Sequence, residues 1–295
     1  MKMNICEIAY QHYLPEKRSR RRANTVEGYE SAFKCHVIPR WGNYTIAEID
    51  RDEVQAWVDN FEKPGAGWKA YKTLRQVIRW AIRKFKMLVI DPTIGVEKPR
   101  TTPYFPKVLT ASALEKRVEG FKDYEHEPTV ILQSALGLRP GENYALDWRD
   151  INMTTGVVKV HKTLQQHRGG MDIYLPKTPK GWRDLILPKW AHERLRELWR
   201  ALGRPRGRII GELTPSAISS RIKRYADRHK LPKVTMENTR HTWGTIAVEA
   251  GGDIATIAMM MGHSDITTTY RYYLRLNTRA MRRLQRRLNA KMMRR

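Results

Sequence analysis

Apolar residues recur every three to four positions over most of the chain, which predicts helices rather than strands. Val26, Tyr29 and Phe33 share one face, and Val54, Trp57, Val58 and Phe61 another. Each set follows a pair spaced like a capping box, Asn24 with Glu27 and Asp50 with Glu53, so helices are expected to begin there. Pro39 and Gly42 are expected to separate them. The longest helix of this half is predicted from Trp68 to Lys86, burying Tyr71, Leu74, Val77, Ile78, Ala81, Ile82 and Phe85. Residues 91–107 lack either periodicity and carry Pro92, Pro99, Pro103 and Pro106. The expected organisation is a helical domain over 1–98, a linker over 99–107 and a second domain over 108–295.

In the second domain Ser112 with Glu115 resembles a further capping box, and the apolar run Val130 to Leu136 stops at Gly137. The period then changes. Val157 to Lys162, Met171 to Leu175 and Arg183 to Leu187 are short, alternating or β-branched, and predict three strands of a small antiparallel sheet. Helical spacing returns at Ala191, Leu195 and Leu198, and again after Thr214-Pro215, where Ile218, Ile222 and Tyr225 face inward. The expected fold class is mainly α with a small antiparallel β-sheet in the C-terminal domain.

Composition adds a charge to this plan. The 295 residues carry 55 Lys+Arg against 30 Asp+Glu, a formal charge of +25, with 41% hydrophobic residues. That apolar fraction is enough for packed cores and excludes a disordered basic tail. No run reaches the roughly 18 apolar residues of a membrane span, and the N-terminus lacks a signal-peptide pattern. The protein is expected to be soluble, not secreted and cytoplasmic, with no membrane partner. Its two cysteines, Cys6 and Cys35, allow no disulfide framework, and no metal site or cofactor is expected.

The positive charge is patterned. On the long helix Lys69, Lys72, Arg75, Arg79, Arg83 and Lys86 form a stripe with no acidic residue, whereas a solvated face usually mixes signs. Arg221, Arg224 and Arg228 share a side of a later helix. Both sets are expected to contact the phosphates of a polyanionic partner. From Leu274 onward the chain has basic residues only, interleaved with Ala280, Met281, Leu284, Leu288 and Met292 at near-helical spacing.

Phosphate-binding GxxxxGK[ST], GxGxxG, GxSxG and HExxH are all absent, which removes support for nucleotide hydrolysis, hydride transfer and serine hydrolysis. Four segments remain. They are Ala135-Leu-Gly-Leu-Arg-Pro-Gly-Glu142; Pro176-Lys-Thr-Pro-Lys-Gly-Trp-Arg183, read as a β-hairpin turn holding Lys177; Asn238-Thr-Arg-His-Thr-Trp-Gly244; and Met261-Gly-His-Ser-Asp-Ile-Thr-Thr-Thr-Tyr-Arg-Tyr-Tyr273. In this order they resemble the tyrosine recombinase, or phage integrase, family, and the basic helical first half is similar to that family's core-binding domain.

The resemblance implies that a tyrosine hydroxyl attacks a DNA phosphodiester, giving a 3′-phosphotyrosyl link that a second strand's 5′-hydroxyl reverses, without metal or ATP. It assigns Arg139 and Arg240 to the non-bridging oxygens, Lys177 as general acid to the leaving 5′-oxygen, and His263 as a hydrogen-bond donor. Spacing from His263 makes Tyr272 the nucleophile rather than Tyr270 or Tyr273. Lys162 is the competing lysine, in the preceding strand. One departure stands out: Glu237 occupies a position where the family usually has histidine. Glu237 is expected to take the tyrosine proton, hold Arg240, or mark reduced activity; the adjacent His241 is expected on a different side of the helix. The implied partners are double-stranded DNA and other protomers in a DNA-assembled tetramer, free protein being monomeric. Two alternatives keep the fold: a catalytically impaired DNA-binding regulator and a type IB topoisomerase-like enzyme.

Overall fold

The computed structural model describes residues 3–101, 105–176 and 181–263, and eight positions beyond (265, 267, 282, 285, 286, 289, 290 and 292). Lys177, Tyr270, Tyr272, Tyr273 and most of the basic C-terminal segment lie outside the described residues. The chain divides into two compact units, Met1–Tyr104 and Phe105–Arg295.

The first unit is four helices. Helix α1 runs over 5–20 and α2 over 23–41, each containing one π-helical stretch (Ile8–Tyr13 and Phe33–Val37). Helix α3 is Arg51–Asp59, and α4 is Pro64–Phe85. The Asp50 cap is as expected, its carboxylate accepting from the backbone N–H groups of Asp52 and Glu53. The Asn24 cap is not. Helix α2 starts at Ala23 behind Arg22, which makes no side-chain cap bond. Pro39 also sits inside α2, directly after its π-helical stretch, and the break falls only after Trp41. Helix α4 begins four residues before the expected Trp68, because Pro64 supplies a preset first turn. Gly67 lets α4 approach α3: a Cβ there would lie 2.7 Å from the Val58 carbonyl. Lys86 ends the helix in left-handed geometry, φ 48°. The core is Ile5, Ile8, Leu14, Phe33, Val37, Trp41, Leu74, Val77 and Ile78, all essentially without solvent contact. The proline-rich stretch begins as part of this unit: Thr93 is buried, and its carbonyl accepts from the Tyr71 hydroxyl at 2.8 Å.

Among the described residues of the second unit, seven helices surround two strand pairs. They are α5 (Ala111–Glu119), α6 (Glu127–Leu136), α7 (Pro140–Ala145), α8 (Lys189–Ala201), α9 (Pro215–Arg228), α10 (Met236–Glu249) and α11 (Ile254–Met261). Helix α5 is capped by Thr110, two residues before the expected Ser112. Thr214 caps α9 as read from the sequence.

The strands are β1 (Val157–Val160), β2 (Thr163–His167), β3 (Gly170–Tyr174) and β4 (Arg183–Ile186). Sequence predicts three in one sheet; the structure has four, in two antiparallel pairs, β1 with β4 and β2 with β3. Polar Thr163, Gln165, Gln166 and His167 hide β2, and only Leu164 is buried. The tight turn lies between His167 and Gly170, which are register partners. Among the described residues, β3 and β4, the strands on either side of 177–180, pair with β2 and β1 respectively.

The second unit's core has two main clusters. Leu136, Leu138, Leu146, Val158, Val160, Leu185 and Leu195 pack α6 and α8 on β1 and β4. Phe121, Tyr144, Leu164, Ile218, Ile222 and Met236 pack α9 on α7 and β2. Between them runs the turn that carries Arg139.

Candidate active site

Gly137 ends α6 with φ 59°, and the chain reverses through Leu138 into Arg139, whose ψ of 144° is the extended geometry expected before a proline. Gly137 is required twice over, since a Cβ would also strike the Trp243 ring at 2.6 Å. The turn is pinned from below by Gln133, fully buried, whose amide donates to the Leu138 carbonyl at 2.6 Å and to the Met236 carbonyl at 2.9 Å. Asn143 donates in turn to the Gln133 side-chain oxygen at 2.9 Å. One amide thus ties the Arg139 turn to the first residue of α10, the helix that carries Glu237 and Arg240.

Arg240 is 2% exposed. Its Nη1 donates to the Gly137 carbonyl at 2.9 Å and its Nη2 to the Met261 carbonyl at 2.7 Å. Arg139, with 42% of its side chain exposed, donates from Nη2 to the next carbonyl, that of Gly262, at 2.8 Å. Two guanidiniums from separate segments therefore grip successive carbonyls of the turn after α11. His263 follows immediately. Burial, together with the charges of Arg240 and Arg139, pushes its imidazole down to about 4, so it is neutral near pH 7 and can both donate and accept.

Two further residues belong here that the sequence reading did not single out. Arg183, the first residue of β4, and Glu142, in the first turn of α7, form a buried ion pair at 2.8 Å. Glu142 also accepts from Nη1 of Arg139 at 2.8 Å. Burial alone raises this carboxyl, but the hydrogen bond and charge of Arg183 and the charge of Arg139 outweigh it and hold it below the usual carboxylate range. Both residues lie within the quoted motifs; nothing in the spacing showed that they meet.

Among the sequence candidates, Arg139, Arg240 and His263 come together. Glu237 is exposed in the first turn of α10 and lines a cleft of about 600 Å³ with Pro140, Lys223 and Asn238. His241 is one helical turn later, on the same side as Glu237 rather than a different one, because four residues bring a helix nearly full circle. Burial holds it below the ordinary histidine range, against the pull of Glu237. Lys162 is occupied by Asp147 and Asp150, 2.9 Å from the latter. On α9, Arg221 pairs with Glu125 at 3.2 Å, while Ser219, Ser220 and Lys223 line the cleft with Glu237.

In the first unit Lys72, Arg75, Arg79 and Arg83 line a depression of about 450 Å³ together with Lys17 and Arg21 of the α1 region; Lys69 and Lys86 are exposed but outside it. The buried Nε of Arg75 has no hydrogen-bond partner among the described residues. Arg79 reaches Asp91 at 3.3 Å.

The sequence model described as the phage integrase family matches residues 118–279. The chain belongs to the phage integrase family. The model of that family's N-terminal SAM-like domain matches residues 8–61. The tyrosine recombinase XerD of Staphylococcus haemolyticus is 29% identical over 270 residues, which cover 84% of this chain and 87% of that protein. The tyrosine recombinase XerC of Xylella fastidiosa is 25% identical over 274 residues, 85% of each. Among solved structures, the Tn1549 transposon integrase in complex with transposon right end DNA superposes with a TM-score of 0.78 at 19% identity, covering 97% of this chain and 99% of that one. A lambda integrase dimer bound to a COC′ core site gives 0.66 at 18% identity, over 92% and 77%. This phage integrase family member is a site-specific recombinase with the expected fold class, mainly helical with a small antiparallel β component. Among the described residues no helix is long and apolar enough to cross a membrane.

Proposed function

We propose that the recombinase cleaves and rejoins double-stranded DNA through a 3′-phosphotyrosyl intermediate on Tyr272, with Arg139, Arg240 and His263 at the scissile phosphate. The observation that carries this is the convergence of two guanidiniums and a neutral imidazole on one turn, each cation fixed by carbonyls or a carboxylate. Attack by the phenol builds charge on the non-bridging oxygens, and donors already held in place stabilise it without reorganising. Lys177 protonates the leaving 5′-oxygen. An ammonium suits that task because it has a transferable proton, which a guanidinium at neutral pH does not. The engagement of Lys162 with two aspartates supports Lys177 over it. Glu237, on the same side of α10 as His241 and lining the cleft, either receives the phenolic proton or holds Arg240 in place.

The domain plan of this reading is a core-binding domain over 1–98, a linker over 99–107 and a catalytic domain over 108–295. DNA is gripped by Lys69, Lys72, Arg75, Arg79, Arg83 and Lys86, and by Arg221, Arg224 and Arg228. Active protomers assemble as a tetramer on DNA, in the cytoplasm at the nucleoid, from monomers in free solution. The lambda integrase solved as a tetramer on a Holliday junction supports that assembly. A groove of about 770 Å³ lined by Leu114, Val118, Trp190, Ile246 and Met260 offers an apolar seat for the C-terminal segment of a neighbour.

A suicide DNA substrate, nicked so that the cleaved strand diffuses away, tests the chemistry. Wild type is expected to accumulate covalent adduct and Tyr272→Phe none. Equal absence from both would favour the impaired regulator, to which Glu237 points. Relaxation of supercoils without recombinant product would favour the topoisomerase-like reading.

A further inference from the structure

We propose that Arg183 is a positioning residue for strand cleavage: it holds the Arg139 fork through Glu142, and holds the turn bearing His263 through the Met260 carbonyl. This rests on the reading above, in which Arg139 and His263 act at the phosphate.

Arg183 is buried, with 6% of its side chain exposed, and its bonds run in three directions. Nη2 and Nη1 reach the two Glu142 oxygens at 2.8 and 3.3 Å. Nε donates to the Met260 carbonyl at 2.7 Å, and Nη1 also lies 3.4 Å from the Gly181 carbonyl. Glu142 is a shared acceptor. Its Oε1 takes Nη1 of Arg139 at 2.8 Å and its Oε2 takes the Arg139 backbone N–H at 2.9 Å. Arg139 then closes the ring by donating to Gly262, two residues after Met260.

The two guanidiniums also pack against one residue. A Cβ at Gly262 would lie 2.8 Å from Nη1 of Arg183 and 3.4 Å from Nη1 of Arg139. Like charges at this range repel unless a carboxylate lies between them, and Glu142 does so. Arg183 spends its hydrogen bonds on the protein, so its part is to fix Arg139 in register with the His263 turn. A planar fork is needed for that: the single nitrogen of a lysine keeps the charge beside Glu142 but cannot also span to Met260.

Arg183→Lys tests this in the full chain. The readouts are binding to core-site DNA, thermal melting, and single-turnover cleavage of two suicide substrates, one with a normal scissile phosphodiester and one with a neutral methylphosphonate there. Removing the phosphate charge lowers the demand on a correctly aimed Arg139. Expected are wild-type melting, affinity within about threefold, and cleavage slowed by about 100-fold on the phosphodiester, the scale of an ångström-sized misplacement, but by under about tenfold on the methylphosphonate. Wild-type cleavage, or an equal loss on both substrates, would overturn the proposal. Should Arg183→Lys not fold, Glu142→Gln carries the same test from the other side of the pair, because it keeps the side chain's shape and removes the charge through which Arg183 holds Arg139. Failure of the recombinase reading looks different: wild type itself would form no adduct.

Discussion

The two units use cations in opposite ways. On α4 Lys69, Lys72 and Arg83 are exposed, Arg79 is exposed and paired with Asp91, and the buried Nε of Arg75 is unsatisfied among the described residues. In the second unit Arg240, Arg139 and Arg183 are tied to five backbone carbonyls and one carboxylate before any ligand arrives. Mobile cations suit adhesion to a regular polyanion, where release of counterions supplies the free energy and placement to a fraction of an ångström is not needed. Fixed cations suit a transition state, whose charge appears at one place only. Net charge alone does not separate these roles; the hydrogen-bond partners do.

The sharpest way to break the comparison is Arg240→Lys. It is expected to lower single-turnover cleavage by about 1,000-fold, the upper range for loss of one fixed donor, while leaving the salt dependence of DNA binding unchanged. A shallower salt slope would place Arg240 with the adhesive cations. Next is the pair Lys72→Ala/Arg75→Ala. Affinity near physiological salt should fall about tenfold and the slope of log affinity against log salt by about 1.8, roughly 0.9 for each lost phosphate contact. Cleavage by the saturated complex should stay within about threefold. A large loss of turnover at saturation would show that α4 aims DNA rather than merely holding it.

The smallest effect concerns pH. His263 sits at about 4 in the folded chain, against about 6.5 for an exposed histidine. Below pH 6.5 the unfolded chain therefore takes up a proton that the folded one refuses, so stability falls as pH drops from 6.5 towards 4 and is flat above. Thermal melting across that window should show a shallower decline for His263→Asn. An identical decline would mean that burial and the three nearby arginines do not hold this imidazole neutral.

Much of this was legible beforehand. The core faces of α3, α4 and α9, the stop at Gly137 and the cap at Thr214 follow from periodicity and cap chemistry, which are local. Arg139, Arg240 and His263 were legible because each lies in a short segment with its own punctuation. What escaped was non-local. Strand β2 shows no alternation because only Leu164 turns to the core. The Arg183–Glu142 pair joins residues 41 positions apart, and no spacing rule reports such a meeting. His241 shares a side with Glu237, four residues earlier and nearly a full turn away, and not with Arg240, its neighbour in sequence.

Gln133 has a consequence for how such a chain can change length. Its single amide bridges Leu138 and Met236, and so works as a gauge between the two arginine-bearing segments. An insertion anywhere from residue 134 to 139 would lengthen one arm of that gauge and carry Arg139 off station. An insertion in the exposed turn over 202–204, whose backbone N–H groups bond only within the end of α8, lengthens neither arm and leaves both arginines in place.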